Sequence, residues 1–355
     1  MKTKLFKNAF FACLSLAMCA GAFISCDKDE TSTTADTTTL VAVIDSCQTL
    51  LDAATITNYA QASITTFQAV VTTAKDAILN TAITQTAVDN LVVQLRTAKE
   101  TFLASAYGAT PSSALIMALS FDEATGTQLT TTGTHHWTAV LTAGPSQIFG
   151  TATNLPSFVT GKVGHAMYFS NGSHLEISNY TASALLGSKL SISVWVNPDS
   201  TRAGNYIMSY NYWNTWKFQL QENNKPFFTL NTTAGCGDAD NQSNFSAPNK
   251  TWTHLVVSMD LTSGKLVFYV NGAKSFEWTT ATKPPVAGTL KSYATTLPLM
   301  IGACTTYAEA NTAWTWSWAK TPANWDGFIG AMDELKVYNI ALTDGQAAKL
   351  YNDEK

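Results

Sequence analysis

The chain has 355 residues, a formal net charge of −4 and only 13% charged residues. It has no basic stripe to neutralise phosphates or settle on anionic lipid, which excludes nucleic acid as a partner and leaves a lipid anchor as the only route to a membrane. Its length predicts two domains plus extra segments, and a hydrophobic content of 46% can fill their cores.

Lys2, Lys4 and Lys7 form a basic start, and residues 9–24 form an apolar run. At about 16 residues the run is shorter than the roughly 20 needed to cross a bilayer, so it predicts a signal peptide over 1–25. The run closes on Phe23-Ile24-Ser25-Cys26 and is followed by Asp27-Lys28-Asp29-Glu30. The first four residues resemble a bacterial lipobox, with Phe23 where leucine is usual. Lys28-Asp29-Glu30 resembles the export signal of Bacteroidetes surface lipoproteins. Together they imply lipidation of Cys26 and display on the extracellular face of the outer membrane; the alternative is an ordinary secretory signal cleaved nearby. Residues 31–39 contain only Thr, Ser, Ala35 and Asp36, too polar to offset the entropy of ordering, so 26–39 reads as a lipidated, Thr-rich tether.

Over 40–107 the apolar spacing becomes helical. Leu40, Ile44, Leu50 and Leu51 form one stripe; Ile64, Phe67, Val70, Val71, Ala74 and Ile78 a second; Val88, Leu91, Val92, Leu95, Ala98 and Phe102 a third. Polar breaks at Thr57-Asn58 and Asn80-Thr81 predict a three-helix bundle, with Thr84 or Thr86 capping the last helix. Tyr59 and the run Thr84-Gln85-Thr86-Ala87-Val88-Asp89 resemble FIVAR-type modules of bacterial surface proteins, which implies a spacer; a small binding module is the alternative. Cys47 falls on an apolar face and reads as a core residue.

Past Pro111 the period switches to two. Leu190, Ile192, Val194 and Val196 alternate with Ser191, Ser193, Trp195 and Asn197, a strand with one face in a core. Residues 252–260 and 265–271 flank Leu261-Thr262-Ser263-Gly264, a hairpin with a late glycine, and Asn271-Gly272 signals a second tight turn. With further strands at 115–121, 165–169, 217–220, 297–302 and 328–338, residues 112–355 predict an antiparallel β-sandwich. The chain is therefore multidomain, a small three-helix bundle followed by a sandwich.

Phe121-Asp122-Glu123, Gly161-Lys162-Val163-Gly164-His165-Ala166, the 190–196 strand, Trp252-Thr253-His254-Leu255-Val256, Phe268-Tyr269-Val270-Asn271-Gly272 and the 330–339 block stand in one order. That order resembles the LamG-like, concanavalin A-type lectin/glucanase family, which implies a concanavalin A-like jelly roll. Thr343-x-x-Gln346 follows as a capping box for a last helix. The resemblance also implies calcium, with Asp122 and Asp333 at the matching acidic positions; strand-end acids satisfied by backbone N–H groups are the equal alternative.

Glycoside hydrolysis needs two carboxylates facing one bond, and the Glu-x-Asp-x-x-Glu run of related glucanases is absent. Asp122-Glu123 and Asp333-Glu334 are adjacent pairs that a strand would split between its faces. The chain therefore reads as a binder and not an enzyme. Trp314, Trp316, Trp318 and Trp325 within the 311–325 insertion, and Tyr212, Trp213 and Trp216 in a second aromatic cluster, are the candidate glycan contacts, since indole and phenol rings stack on sugar C–H faces. The alternatives are a protein-binding adhesion module using the same rings and a hydrolase with separated acids. Cys236 and Cys304 share loop context in an exported domain and are expected to form a disulfide.

Overall fold

The computed structural model describes residues 34–56, 58–152, 154–240, 245–293, 297–312, 321–323, 325 and 327–355. Cys26 and the charged run after it lie outside the described residues.

Three helices come first: α1 (Thr38–Asp52), α2 (Gln61–Ile78) and α3 (Gln85–Ala104). Their stripes meet: Leu40, Ile44, Cys47 and Leu51 of α1 pack with Phe67, Val71 and Ala74 of α2 and Val88, Val92, Leu95 and Phe102 of α3. Phe102 is sandwiched, its ring 4.1 Å from Tyr59 and 4.5 Å from Phe67. Thr84 caps α3, its side chain accepting from the Ala87 N–H.

The strands of the following domain are β1 (Leu115–Leu119), β2 (Gln128–Thr130), β3 (Thr138–Thr142), β4 (Ser157–Thr160), β5 (His165–Phe169) and β6 (His174–Ile177). They continue as β7 (Lys189–Pro198), β8 (Asn205–Tyr210), β9 (Trp216–Gln221), β10 (Lys225–Thr232) and β11 (Gly235–Asp240). The last are β12 (Thr253–Asp260), β13 (Lys265–Val270), β14 (Ala273–Thr279), β15 (Leu299–Ile301) and β16 (Gly330–Tyr338). Short helices α4 (Ser146–Phe149) and α5 (Tyr307–Thr312) and the C-terminal α6 (Asp344–Glu354) complete the described elements.

Two eight-stranded antiparallel sheets result. The first runs β14-β13-β12-β7-β16-β5-β4 with β1 also on β16; the second runs β11-β10-β9-β8-β15-β6-β3-β2. This is the sandwich expected of a concanavalin A-like jelly roll. Period-two alternation sends Leu190, Ile192, Val194, Leu255, Val257, Phe268 and Val337 inward from the first sheet against Phe218, Leu220, Phe228, Leu230, Leu299 and Ile301 of the second. Each such side chain contributes about 1.5–3 kcal/mol by leaving water. The two turns read from sequence are present: Gly264 is left-handed at φ 67, and Asn271 and Gly272 both have positive φ (48 and 76), as a two-residue hairpin between β13 and β14 requires.

The C-terminal α6 packs on the outer face of the first sheet, over β7, β12, β13 and β16. The capping box of Thr343 and Gln346 starts that helix, Tyr351 stacks on Trp195 at 5.5 Å, and Ala347 packs with Val256, Val267, Tyr269 and Tyr338. The functional question therefore moves to the second sheet.

Candidate functional site

Trp314, Trp316 and Trp318 lie outside the described residues. Three of the other candidate rings are packed away rather than presented. Trp216 is fully buried, opens β9 and points inward, donating its indole N–H to the Leu185 carbonyl at 3.1 Å. Tyr212 is buried with its hydroxyl on Glu309, and Trp325 is buried in the same cluster with Tyr206, Cys304 and Ala310. The expectation that these three stack on a sugar is thus corrected: Trp216 belongs to the core between the sheets, and Tyr212 and Trp325 pack with Tyr206, Cys304 and Ala310. Trp213 alone of the described candidates is half-buried, with a face toward a cleft.

That cleft lies on the outer face of the second sheet. Over β9, Trp216, Phe218 and Leu220 point into the core, so Lys217, Gln219 and Gln221 point out. The register places Ser209, Lys217, Thr229 and Asp238 in one row across four strands, and Tyr206, Gln219, Phe227 and Asp240 in the next. A cavity of about 200 Å³ opens between Tyr206, Trp213, Lys217 and Phe227, with Gln219, Gln221 and Asp238 along it.

Lys217 is 2% exposed, unusual for an ammonium group. Its Nζ donates to Gln219 Oε1 at 2.6 Å and stands 4.9 Å from the Trp213 ring centroid, 5.1 Å from Phe227 and 5.3 Å from Tyr206. Ring quadrupoles facing a cation contribute about 0.5–2 kcal/mol each, which offsets part of the desolvation cost and fixes the three rings around one point. Gln219 in turn donates to the Ala203 carbonyl at 2.8 Å, and Thr229 donates to Asp238 Oδ1 at 2.6 Å. The result is a pre-ordered wall of rings, an amide and a carboxylate. Sequence reasoning missed Tyr206, Lys217, Gln219, Phe227 and Asp238, although the alternation Trp-Lys-Phe-Gln-Leu-Gln over β9 carried the signal for three outward polar side chains.

The two acids proposed for calcium serve a turn. Asp333 Oδ2 accepts the N–H groups of Lys162 and Val163 at 2.8 and 2.9 Å, and its Oδ1 accepts that of Glu334 at 2.8 Å. Asp122 Oδ1 accepts the His165 N–H at 2.9 Å. Gly161 and Gly164 let the turn approach: a Cβ at either would meet Asp333 Oδ2 at 2.6 Å or Asp122 Oδ1 at 2.1 Å. Burial of Asp333 pushes its carboxyl up to about 7 against these hydrogen bonds. Among the described residues no group of three or more His, Cys, Asp or Glu side chains is placed to hold a metal. Two carboxylates already engaged by backbone N–H groups do not fit the six to eight oxygens, roughly, that calcium takes.

The expected bridge between Cys236 and Cys304 is not formed. Cys236 is exposed on β11, its Sγ 4.0 Å from the Trp213 carbonyl, whereas Cys304 is buried with Tyr206, Tyr212 and Trp325. One thiol faces out from an edge strand and the other lies within a packed cluster. Cys47 is buried in the bundle as read from sequence.

One pairing resembles a nucleophile and base: Ser193 Oγ and His254 Nε2 are 2.8 Å apart. Both residues are fully buried beneath α6. Burial, aided by the Lys336 charge, pulls the imidazole down to about 3, and its Nδ1 has no hydrogen-bond partner. No substrate reaches this pair, so it is a packing contact.

The chain is similar to several solved structures. Domain 4 of AbnA, a GH43 extracellular arabinanase from Geobacillus stearothermophilus, solved with arabinotriose, is 20% identical; the match covers 67% of this chain and 98% of that one, with a TM-score of 0.46. The binding domain of Paraclostridial Mosquitocidal Protein 1 is 13% identical, over 68% of this chain and 52% of that one, at 0.47. The binding domain of Botulinum Neurotoxin DC, solved with SialylT, is 12% identical, over 69% and 52%, at 0.46. The chain thus spans about half the length of the two toxin domains. No curated protein matches it. The family description "Concanavalin A-like lectin/glucanases superfamily" matches residues 169–348, half of the 355-residue chain, and the chain belongs to that superfamily.

Proposed function

We propose that this protein is a non-catalytic glycan-binding lipoprotein of the bacterial cell surface, and that the cleft around Lys217 is where the sugar sits. The observation that carries the reading is the half-buried Trp213 ring bordering a cleft lined by the buried Tyr206, Phe227 and Lys217, with Gln219 and Asp238 beside it. Flat aromatic faces suit sugar C–H faces, and fixed amides and carboxylates suit hydroxyls.

A glycan array probed with the purified chain tests the reading. Selective binding that Trp213→Ala weakens about five- to tenfold, in a variant that still melts cooperatively, is the expected result. A protein partner captured by the same cleft with no glycan retained would favour the adhesion alternative. Asp238 and Asp240 share the outward side of β11, so release of reducing sugar that is lost on Asp238→Asn or Asp240→Asn would make the chain a hydrolase.

The anchor rests on Cys26 and on Lys28-Asp29-Glu30. Cells expressing the chain should incorporate palmitate into it, and Cys26→Ala should abolish both the label and membrane retention. Unchanged retention in that variant would remove the anchor from the account. Replacing Lys28, Asp29 and Glu30 with alanine should lower protease accessibility on intact cells while lipidation continues.

A further inference from the structure

We propose that the cleft is a two-unit site for a neutral oligosaccharide, with chemically different halves; the inference rests on the glycan reading above. The ring-walled cavity adjoins a second of about 360 Å³, and Gln221 and Phe227 line both. The second holds Glu222, Asn223, Lys225 and Asp240, and Phe227 is its one ring. The halves therefore divide the work: the first takes an apolar sugar face against the half-buried Trp213 ring, and the second takes hydroxyls on amide, carboxylate and ammonium groups.

Their order follows β9. Lys217, Gln219 and Gln221 are successive outward positions, and two residues of strand advance about 6.7 Å, so the polar groups are offered in sequence along a linear chain. The far half is also built rather than loose. It ends at the β9–β10 connection, where Asn223 and Asn224 are left-handed (φ 62 and 52). Asn224 is fully buried, its amide donating to the Ala247 carbonyl at 3.1 Å and Asn249 Oδ1 at 2.7 Å. A strained, buried turn of this kind holds the neighbouring side chains in place.

Charge selects the ligand. Lys217 and Asp238 line the first cavity and Lys225, Glu222 and Asp240 the second, and Lys217 is already held by Gln219 and three rings. A uronate entering this cleft meets more carboxylates than ammonium groups, while a neutral sugar meets donors and acceptors of both kinds.

Calorimetric titration of the purified chain tests this with neutral hexoses and pentoses, their di- and trisaccharides, and uronate-containing disaccharides. For the recognised sugar, the disaccharide should bind about tenfold more tightly than the monosaccharide, equivalent to about 1.4 kcal/mol. The trisaccharide should add less than about twofold, and matched uronates should bind more weakly. The double variant Glu222→Ala, Lys225→Ala, both at surface positions, should erase the disaccharide's advantage. Equal affinity for mono- and disaccharide, a gain that persists unit by unit past two, or preference for the uronate would each overturn the two-unit site while leaving glycan binding intact. Failure of every saccharide to bind would overturn both readings together.

Discussion

Truncating Glu354 to alanine is the sharpest test of how the first sheet holds its covering helix. The Glu354 carboxylate accepts from Lys336 Nζ at 2.5 Å and from the Trp195 indole N–H at 2.8 Å, with 8% of the residue exposed. Lys336 keeps a second partner, Glu334 Oε2, at 2.6 Å. Hydrogen bonds to charged groups contribute about 1.5–3 kcal/mol each, and breaking a buried ion pair by deleting one partner costs about 3–5 kcal/mol because the other charge stays buried. The retained Glu334 contact puts the expected loss at the lower end, about 3 kcal/mol. For a domain of this size that lowers the melting midpoint by about 6–12 °C. Glu354→Gln keeps an acceptor for Trp195 and should cost about half as much. The triple variant Glu334→Gln, Lys336→Met, Glu354→Met removes all three charges with their desolvation and should recover most of the loss. Urea and thermal melts followed by tryptophan fluorescence give all three values. A change under about 0.5 kcal/mol for Glu354→Ala, or a triple variant worse than the single, would refute the reasoning.

Other substitutions probe separate parts of the fold. Phe218→Ala empties a fully buried position between the sheets and should cost about 3–5 kcal/mol in a urea melt. Gly272→Ala forces a Cβ to 2.9 Å from Tyr351 Cβ at a φ of 76, so it should destabilise the domain by more than 1 kcal/mol, roughly, and loosen α6 in hydrogen exchange. His254 has a folded pKa of about 3 against an ordinary 6.5. Its contribution is therefore intact above about pH 6.5 and is lost as pH falls toward 3, because the unfolded chain takes up the proton first. The stability difference between wild type and His254→Asn should shrink across that window, by at most about 1.4 kcal/mol per pH unit. A difference independent of pH would contradict it.

Much of the architecture was legible because it follows from periodicity. Intervals of three and four gave the bundle stripes, alternation over 190–197 gave β7, and Asn271-Gly272 gave its hairpin. The short strands were harder. β2, β4 and β6 have three or four residues, too few to show an alternation, and β11 reads Gly-Cys-Gly-Asp-Ala-Asp, with low intrinsic strand preference. The candidate site was obscured for a different reason. Aromatic density in sequence does not tell which side of a strand a ring takes. Trp216 sits on the inward register of β9 and Lys217 on the outward one, so the neighbour of the conspicuous tryptophan is the residue at the cleft. Tyr206 and Phe227 join it only through the strand order β8-β9-β10, which nothing local in the chain encodes. Asp122 and Asp333, matched to family positions, are far apart in sequence and meet at opposite sides of the Gly161–Gly164 turn.

The central claim is that the ring wall around Lys217 recognises sugar. Calorimetry should compare wild type with Trp213→Ala and Lys217→Met, using the strongest ligand from a glycan array, with melting curves to verify folding. Loss of Trp213 should weaken binding about five- to tenfold, in line with the worth of one aromatic contact. Lys217→Met should weaken it further by freeing the three rings. Unchanged affinity in both folded variants would contradict the account and move the site off this face of the second sheet.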